Sequence, residues 1–295
     1  DDGESTYQVR GLSTRNTEYI CQFCRNDSQS FHSGPRPYGE VSSVWSSQAT
    51  PGGCSWQHPL GGFELDYGES IEPTSDGGYI IAGYTYSADG DVQDKIAGMD
   101  QSDFWVVKLA ANGNIEWKKC LGGSDEDEAF DIIQTSDGGY LVVGYTASDD
   151  IPGSGKKGGS DNSDFFAVKL TADGSISWNK CYGGTDSEIA RHVLQTSDGG
   201  FIIAGYTYSN DGDVTGKIAG SMNADYWVIK IDGSGTFTWA KCYGGISDDY
   251  GEAVSLLFDG YLVTGNSMST DGQAIGNHGL NDFLVMKIDI SGNVV

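Results

Sequence analysis

The chain has 295 residues, 44 of them glycine and 6 proline, with 12% aromatics. That is too much apolar and aromatic residue for a disordered chain, and the glycine has no three-residue period to suggest collagen. Forty-two acids against 17 Lys and Arg leave a formal charge of −25, so the surface repels nucleic acid and anionic lipid and attracts cations or basic partners.

No apolar run reaches the roughly 18 residues of a membrane-spanning helix, and no basic groove for nucleic acid is visible. The start, DDGESTYQVR, is polar and acidic and does not read as a signal peptide. A mature secreted chain would look the same here as a cytosolic one.

From Trp56 onward the chain repeats. Trp56, Trp117, Trp178 and Trp239 are 61 residues apart, and the pairs beginning at Gly61, Gly122, Gly183 and Gly244 keep the same step. So do Asp76, Asp137, Asp198 and Asp259. An internal period of this size takes precedence over local pattern.

Each unit predicts four extended segments, seen best between Trp117 and Trp178. The first covers 128–135 and ends at Ser136-Asp137-Gly138-Gly139, a strong hairpin signal because a type I′ turn needs positive φ at both central residues. The second, YLVVGYT from Tyr140, is β-branched and aromatic. The third, DFFAVKL from Asp164, is nearly all apolar, as a strand covered on both faces must be. The fourth, SISWNKC, follows an Asp173-Gly174 turn. Apolar residues nowhere recur at three and four for long enough to make a helix.

Four antiparallel strands per unit, returning at least four times, predict an all-β fold: a β-propeller of four-stranded blades. A solenoid is the competing repeat architecture, but a meander of about 60 residues is too large for one coil. Clear repeats span 56–116, 117–177, 178–238 and 239–295.

Residues 1–55 read as a degenerate first blade or an N-terminal extension. Shifted by 61, Gly52 lands on Gly113, and TPGGCSW answers ANGNIEW. Length favours five blades in a single domain. The alternative is four blades, with the strand around Trp56 completing the last one.

The run from Trp through L/Y-G-G, acids, the DGGY hairpin with V-x-G-Y-T, a long loop, and D-F/Y-W/F-x-V-K-L resembles the SBBP-type bacterial β-propeller repeat. Versions with NDGDV loops and W-x-K-C-Y-G-G look like those of secreted or surface proteins of Bacteroidetes and archaea. The likeness covers about residues 54–290 in four copies. It implies an extracellular or cell-surface protein and supplies no catalytic residues.

The loops between second and third strands share a sheet edge with the linkers between units, and that edge collects acids. Linkers carry Asp125, Glu126, Asp127 and Glu128, then Asp186 and Glu188, then Asp248 and Asp249. The long loops supply Asp89, Asp91, Asp149, Asp150, Asp211, Asp213 and Asp271, the candidate ligands if a hard cation such as Ca²⁺ is bound. No loop has the full spacing of an EF-hand, and the alternative is a solvated turn whose Asp caps its own backbone.

Residues present in every copy read as scaffold: the tryptophans as core wedges, and Lys108, Lys169, Lys230 and Lys287 as stems on a neighbouring sheet with a wet ammonium. Function is sought where equivalent positions differ. On the first strands one position reads Glu69, Phe130, Arg191, Glu252, and the next reads Ser70, Asp131, His192, Ala253. Glu69, Asp131, Arg191, His192 and Glu252 are therefore candidates for the mouth of a central channel; a water-filled, salt-bridged lining is the plain account.

Cys120, Cys181 and Cys242 share one repeated position at fourth-strand ends, and sheets about 10 Å apart keep them from bridging. Cys21 and Cys24 form a C-x-x-C without the second pair a zinc site needs, and a bridge among Cys21, Cys24 and Cys54 is open to the chain if it is secreted.

No H-x-x-x-H pair, G-x-S-x-G elbow or phosphate loop is present. The expected function is a non-enzymatic, secreted or surface module that binds a protein or glycan, or self-assembles, through its acidic loop face. The alternative is a propeller enzyme, quinoprotein-like or lyase-like, with chemistry at the channel mouth.

Overall fold

A computed structural model describes residues 56–295 apart from 99, 160, 219 and 221. The expected first blade and Cys21, Cys24 and Cys54 lie outside the described residues. The chain divides between Gln57 and His58 into two units, and the fold that follows is that of the second.

Its strands are β1 (Asp66–Pro73), β2 (Tyr79–Thr85), β3 (Asp103–Leu109), β4 (Ile115–Leu121), β5 (Asp127–Gln134), β6 (Tyr140–Thr146), β7 (Asp164–Leu170), β8 (Ile176–Tyr182), β9 (Glu188–Gln195), β10 (Phe201–Thr207), β11 (Asp225–Ile231), β12 (Phe237–Tyr243), β13 (Asp249–Leu257), β14 (Gly260–Ser267) and β15 (Asp282–Asp289). There is no α-helix among the described residues. Each run of four consecutive strands forms one antiparallel meander, and the last sheet, β13-β14-β15, has three. Val294 then bridges Ile288, the first rung of a further pairing beside β15.

The all-β, repeated-sheet expectation holds, and strand bounds fall within a residue or two of those read from sequence. Packing runs from each sheet to the next, and no closed ring is found among the described residues. Between the first two sheets, Ile80, Phe104 and Val106 meet Ile132, Val142 and Phe166. Between the second and third, Leu141, Val143 and Phe165 meet Val193, Ile203 and Trp227. Ile202, Tyr226 and Val228 meet Val254, Val263 and Met286 in the last junction. Strands β3, β7 and β11 are buried at every position, and β7 and β11 each lie in a sheet with another packed on both sides.

The tryptophans staple neighbouring sheets. Trp117 Nε1 on β4 donates to Ala172 O at 3.2 Å, in the β7–β8 turn, and Trp178 repeats the bond to Gly233 O at 3.2 Å. Trp239 does so to Ile290 O at 3.1 Å. An aromatic body buried at one end with a satisfied N–H at the other suits this edge position.

Three of the four repeated lysines differ from expectation; Lys287, paired with Asp259 at 2.7 Å, keeps its side chain 39% exposed. Lys108 is 1% exposed, and its ammonium is not wet: it pairs with Asp76 and Glu116, each at 2.9 Å. Lys169 pairs with Asp137 at 2.9 Å and Lys230 with Asp198 at 3.0 Å. The reason lies in the DGG hairpin. Its Asp turns back over its own loop, where Asp137 Oδ1 accepts from Thr135 Oγ1 at 2.5 Å and Gly139 N at 2.9 Å. The first glycine turns the chain at φ +84° (Gly138), and the second leaves room for the β7 backbone and for the ammonium, since a Cβ on Gly139 would lie 2.2 Å from Leu170 O and 2.6 Å from Lys169 Nζ. A buried ammonium must be paired.

Two substitutions separate these roles. Gly138→Ala, with open space around it, should cost about 1 kcal/mol for positive φ alone. Gly139→Ala should cost about 1–3 kcal/mol from overpacking, and loosen the Lys169 pair as well. Denaturant midpoints of the two variants give the comparison, and equal losses would contradict this account of the motif.

Candidate functional site

The loop edge is built on one repeated carboxylate. At the start of each first strand, Asp66, Asp127, Glu188 and Asp249 accept the N–H of the second linker glycine: Gly62 (2.8 Å), Gly123 (2.8 Å), Gly184 (2.7 Å) and Gly245 (2.7 Å). Hydroxyls following the second strand add to this, as in Ser87 to Asp66 at 3.0 Å, Ser148 to Asp127 at 3.0 Å and Ser269 to Asp249 at 2.7 Å. Asp127, Glu188 and Asp249 are fully buried. Sequence reading counted them among the surface acids; the Ser of the Y-T-x-S motif, two residues past the strand, is the signal that could have marked them as anchors.

The aspartates proposed as calcium ligands are placed as loop ties. Asp89, Asp150, Asp211 and Asp271 each accept a linker N–H, from Phe63 (2.8 Å), Ser124 (2.9 Å), Thr185 (2.8 Å) and Ile246 (2.9 Å). Asp91 accepts Gly61 N at 3.3 Å, Asp213 pairs with Lys157, and Asp149 pairs with Lys156 at 3.0 Å. No three acidic, His or Cys side chains converge for a metal among the described residues. Cys120, Cys181 and Cys242 are free thiols, in keeping with their spacing.

The channel-mouth candidates all lie on first strands, and their position has a backbone cause. In β1 the pairing with β2 skips Glu69; in β5, β9 and β13 it skips Phe130, Arg191 and Glu252. Each is the extra residue of a β-bulge, which leaves a residue out of the ladder and re-aims its side chain. The glycine of V-x-G-Y-T faces this bulge: a Cβ on Gly144 would strike the carbonyl of Glu128.

Bulge residues of adjacent sheets meet. The Arg191 guanidinium stacks 4.3 Å from the Phe130 ring centroid, and its Nε lies 3.0 Å from Glu252 Oε2. His192 Nε2 stands 3.9 Å from Asp131 Oδ2. Asp131 also accepts Ser70 Oγ at 2.8 Å and Val193 N at 2.9 Å, binding three sheets together. Burial holds its carboxyl above the ordinary range, against the pull of His192. His192 Nδ1 is buried and finds no hydrogen-bond partner among the described residues. Glu69 joins neither pair; its charge acts on Glu128 and Tyr84.

Around this row lies an aromatic band that sequence reading missed, although the repeated Tyr of G-Y-T signalled it. Tyr67 stacks on Tyr84 at 4.7 Å, Tyr84 meets Phe130 at 6.5 Å, and Phe130 meets Tyr145 at 6.0 Å. Tyr206 packs on Tyr250 at 4.9 Å. Beside the band opens a cleft of about 390 Å³, lined by Gln101, Asp125, Glu126, Tyr145, Asp161 and Asn162 among others, with no Lys or Arg. Amide, carboxylate, hydroxyl and one aromatic face suit polar or cationic ligands.

No protein-family model matches the chain, and no curated protein matches it either.

Burial sets the pH response. It lifts the carboxyls of Asp127, Glu128 and Asp164 to about 7, helped by Asp103, Glu126 and Glu188 respectively. Between the unfolded value near 4 and that raised value, the native state holds protons the unfolded chain has lost, so stability falls as pH rises through this window. Asp137 and Asp198 behave oppositely. Held at about 2, they add stability that is lost as pH drops from about 4 toward that value. Thermal melts should therefore show Tm several degrees higher near pH 5 than at pH 8, and Asp164→Asn should flatten the difference. A Tm that climbs from pH 5 to 8 would refute it.

Proposed function

We propose that the chain is a five-bladed β-propeller, extracellular or displayed at the cell surface, that binds a partner protein or glycan, or self-assembles, through its acidic loop face without catalysing a reaction. Five blades take residues 1–55 as the first. The support is the bare outer face of the last sheet. Phe104, Phe165 and Tyr226 are fully buried, each by the following sheet, while their equivalent Phe283 is 87% exposed and Val285 56%. An apolar face of this kind calls for a cover, which a further blade would supply.

The observation that carries the binding reading is the cleft beside Tyr145, with Asp125, Glu126 and Asp161 in its wall and no cation among its lining residues. It sits on stiff loops, because the buried carboxylates and loop ties pin every linker. Pre-organised polar loops on a rigid scaffold are the usual place for recognition. The likeness to secreted and surface repeats supplies the location.

One observation favours the second reading, a quinoprotein-like or lyase-like enzyme. His192 Nε2 stands 3.9 Å from the Asp131 carboxylate while its buried Nδ1 has no partner among the described residues, an arrangement able to move a proton.

Three measurements separate these readings. Phe283→Ala should cost about 3 kcal/mol if a blade covers it, and under about 0.5 kcal/mol if it faces water. A glycan array and a pull-down from extracellular medium should return a ligand whose capture disappears in Asp125→Lys/Asp161→Lys. Absorbance of a bound quinone, or a turnover abolished by His192→Ala, would overturn the binding reading in favour of the enzyme.

A further inference from the structure

The bulge row alternates in charge, and one end is incomplete. Arg191 lies between the Phe130 ring and Glu252, so at that end a guanidinium is stacked on an aromatic and neutralised by a carboxylate. At the other end, around the same Phe130, stand Tyr84, Tyr86 and Tyr145 with Glu69, Glu126 and Glu128. Tyr84 lies 6.3 Å from Tyr86 and 6.5 Å from Phe130, and Tyr86 Oη donates to Glu126 Oε1 at 3.3 Å. Among the described residues, no ion pair reaches any of these three glutamates.

The three acids repel one another, and tyrosine hydroxyls rather than a paired cation answer them: Tyr86 donates to Glu126, and Tyr86 and Tyr145 act on Glu128. Glu128 records the repulsion: burial, then Glu126 and, less strongly, Glu69 push its carboxyl up to about 7. A cation within about 6 Å of aromatic centroids gains from the ring quadrupoles, and more so beside carboxylates. Of these residues Glu126 and Tyr145 also line the cleft, so the cluster adjoins it on the loop face.

We propose that the aromatic pocket of Tyr84, Tyr86, Phe130 and Tyr145, with Glu69, Glu126 and Glu128, binds the guanidinium of an arginine side chain presented by a partner polypeptide. Arg191 is the internal template: it shows what this row accepts against the Phe130 ring. A planar, weakly hydrated, fork-shaped cation meets both the aromatic faces and the paired carboxylates, which a compact ammonium does less well. The inference rests on the binding reading above and narrows it to a protein partner with an exposed arginine.

The test uses small probes, so its outcome does not depend on finding the partner. N-acetyl-arginine amide is titrated into the full chain while the aromatic resonances of Tyr84, Tyr86 and Phe130 are followed by NMR. Saturable shifts confined to those rings are expected, weakened by about tenfold or more in Glu126→Gln/Glu128→Gln. Should that double variant fold poorly, Glu69→Gln, at an exposed position, should still weaken binding several-fold. Phe130→Leu, which keeps every acid, should do the same. Shifts that never saturate, that spread over acidic loops generally, or that persist in the variants overturn the proposal. So does tighter binding of tetramethylammonium than of the arginine amide, which would assign the pocket to a quaternary ammonium instead. Arginine binding that survives Asp125→Lys/Asp161→Lys, with no partner captured, would leave the pocket standing and remove the loop-face reading.

Discussion

A carboxylate cannot be buried cheaply unless its oxygens are hydrogen-bonded, and the loop edge of this protein is organised by that requirement. Asp66, Asp127, Glu188 and Asp249 draw the linker N–H groups and the hydroxyls after the second strands toward themselves. One side chain per sheet thereby fixes where a strand begins, where its linker runs and where the long loop leaves. With the loops held, the cleft and the aromatic band have defined walls. The anchoring is not free: Asp127 Oδ1 finds no hydrogen-bond partner among the described residues, and burial lifts its carboxyl toward neutrality.

The same logic runs on the opposite edge with the sign reversed. There the buried charge is an ammonium, and the DGG aspartates come to it from the hairpin turns. Each sheet thus carries an acid anchored near one edge and a base anchored near the other, with an apolar third strand between them. Tryptophan bonds to the next sheet's turn then tie the outer strands.

Much of the fold was legible in the sequence because its determinants are local and repeated. The period, the Asp-Gly turns and the apolar third strand each follow from turn stereochemistry or two-sided burial, and repetition averaged out the exceptions. The lysines were misjudged because a long charged side chain near a strand end ordinarily keeps its head in water, and only the fold shows Asp76, Asp137 and Asp198 arriving over it. The anchoring acids were hidden for a related reason: Asp127 and Asp125 look alike in a run of acids, and only the hydroxyls returning from the second strand distinguish them. For the site, comparing equivalent positions found the row of Glu69, Phe130, Arg191 and Glu252. It did not find the tyrosines, because residues common to the copies were assigned to scaffold.

A residue left out of a hydrogen-bonded ladder answers to no cross-strand neighbour, so its identity can change without disturbing the sheet that carries it. Here every sheet offers one such place, and the four hold an acid, a ring, a base and an acid in turn. Duplication supplied the copies with one backbone; the bulge gave each copy a single free character. The molecule is thus a fixed text with one editable letter per line, set at the same place in every sheet.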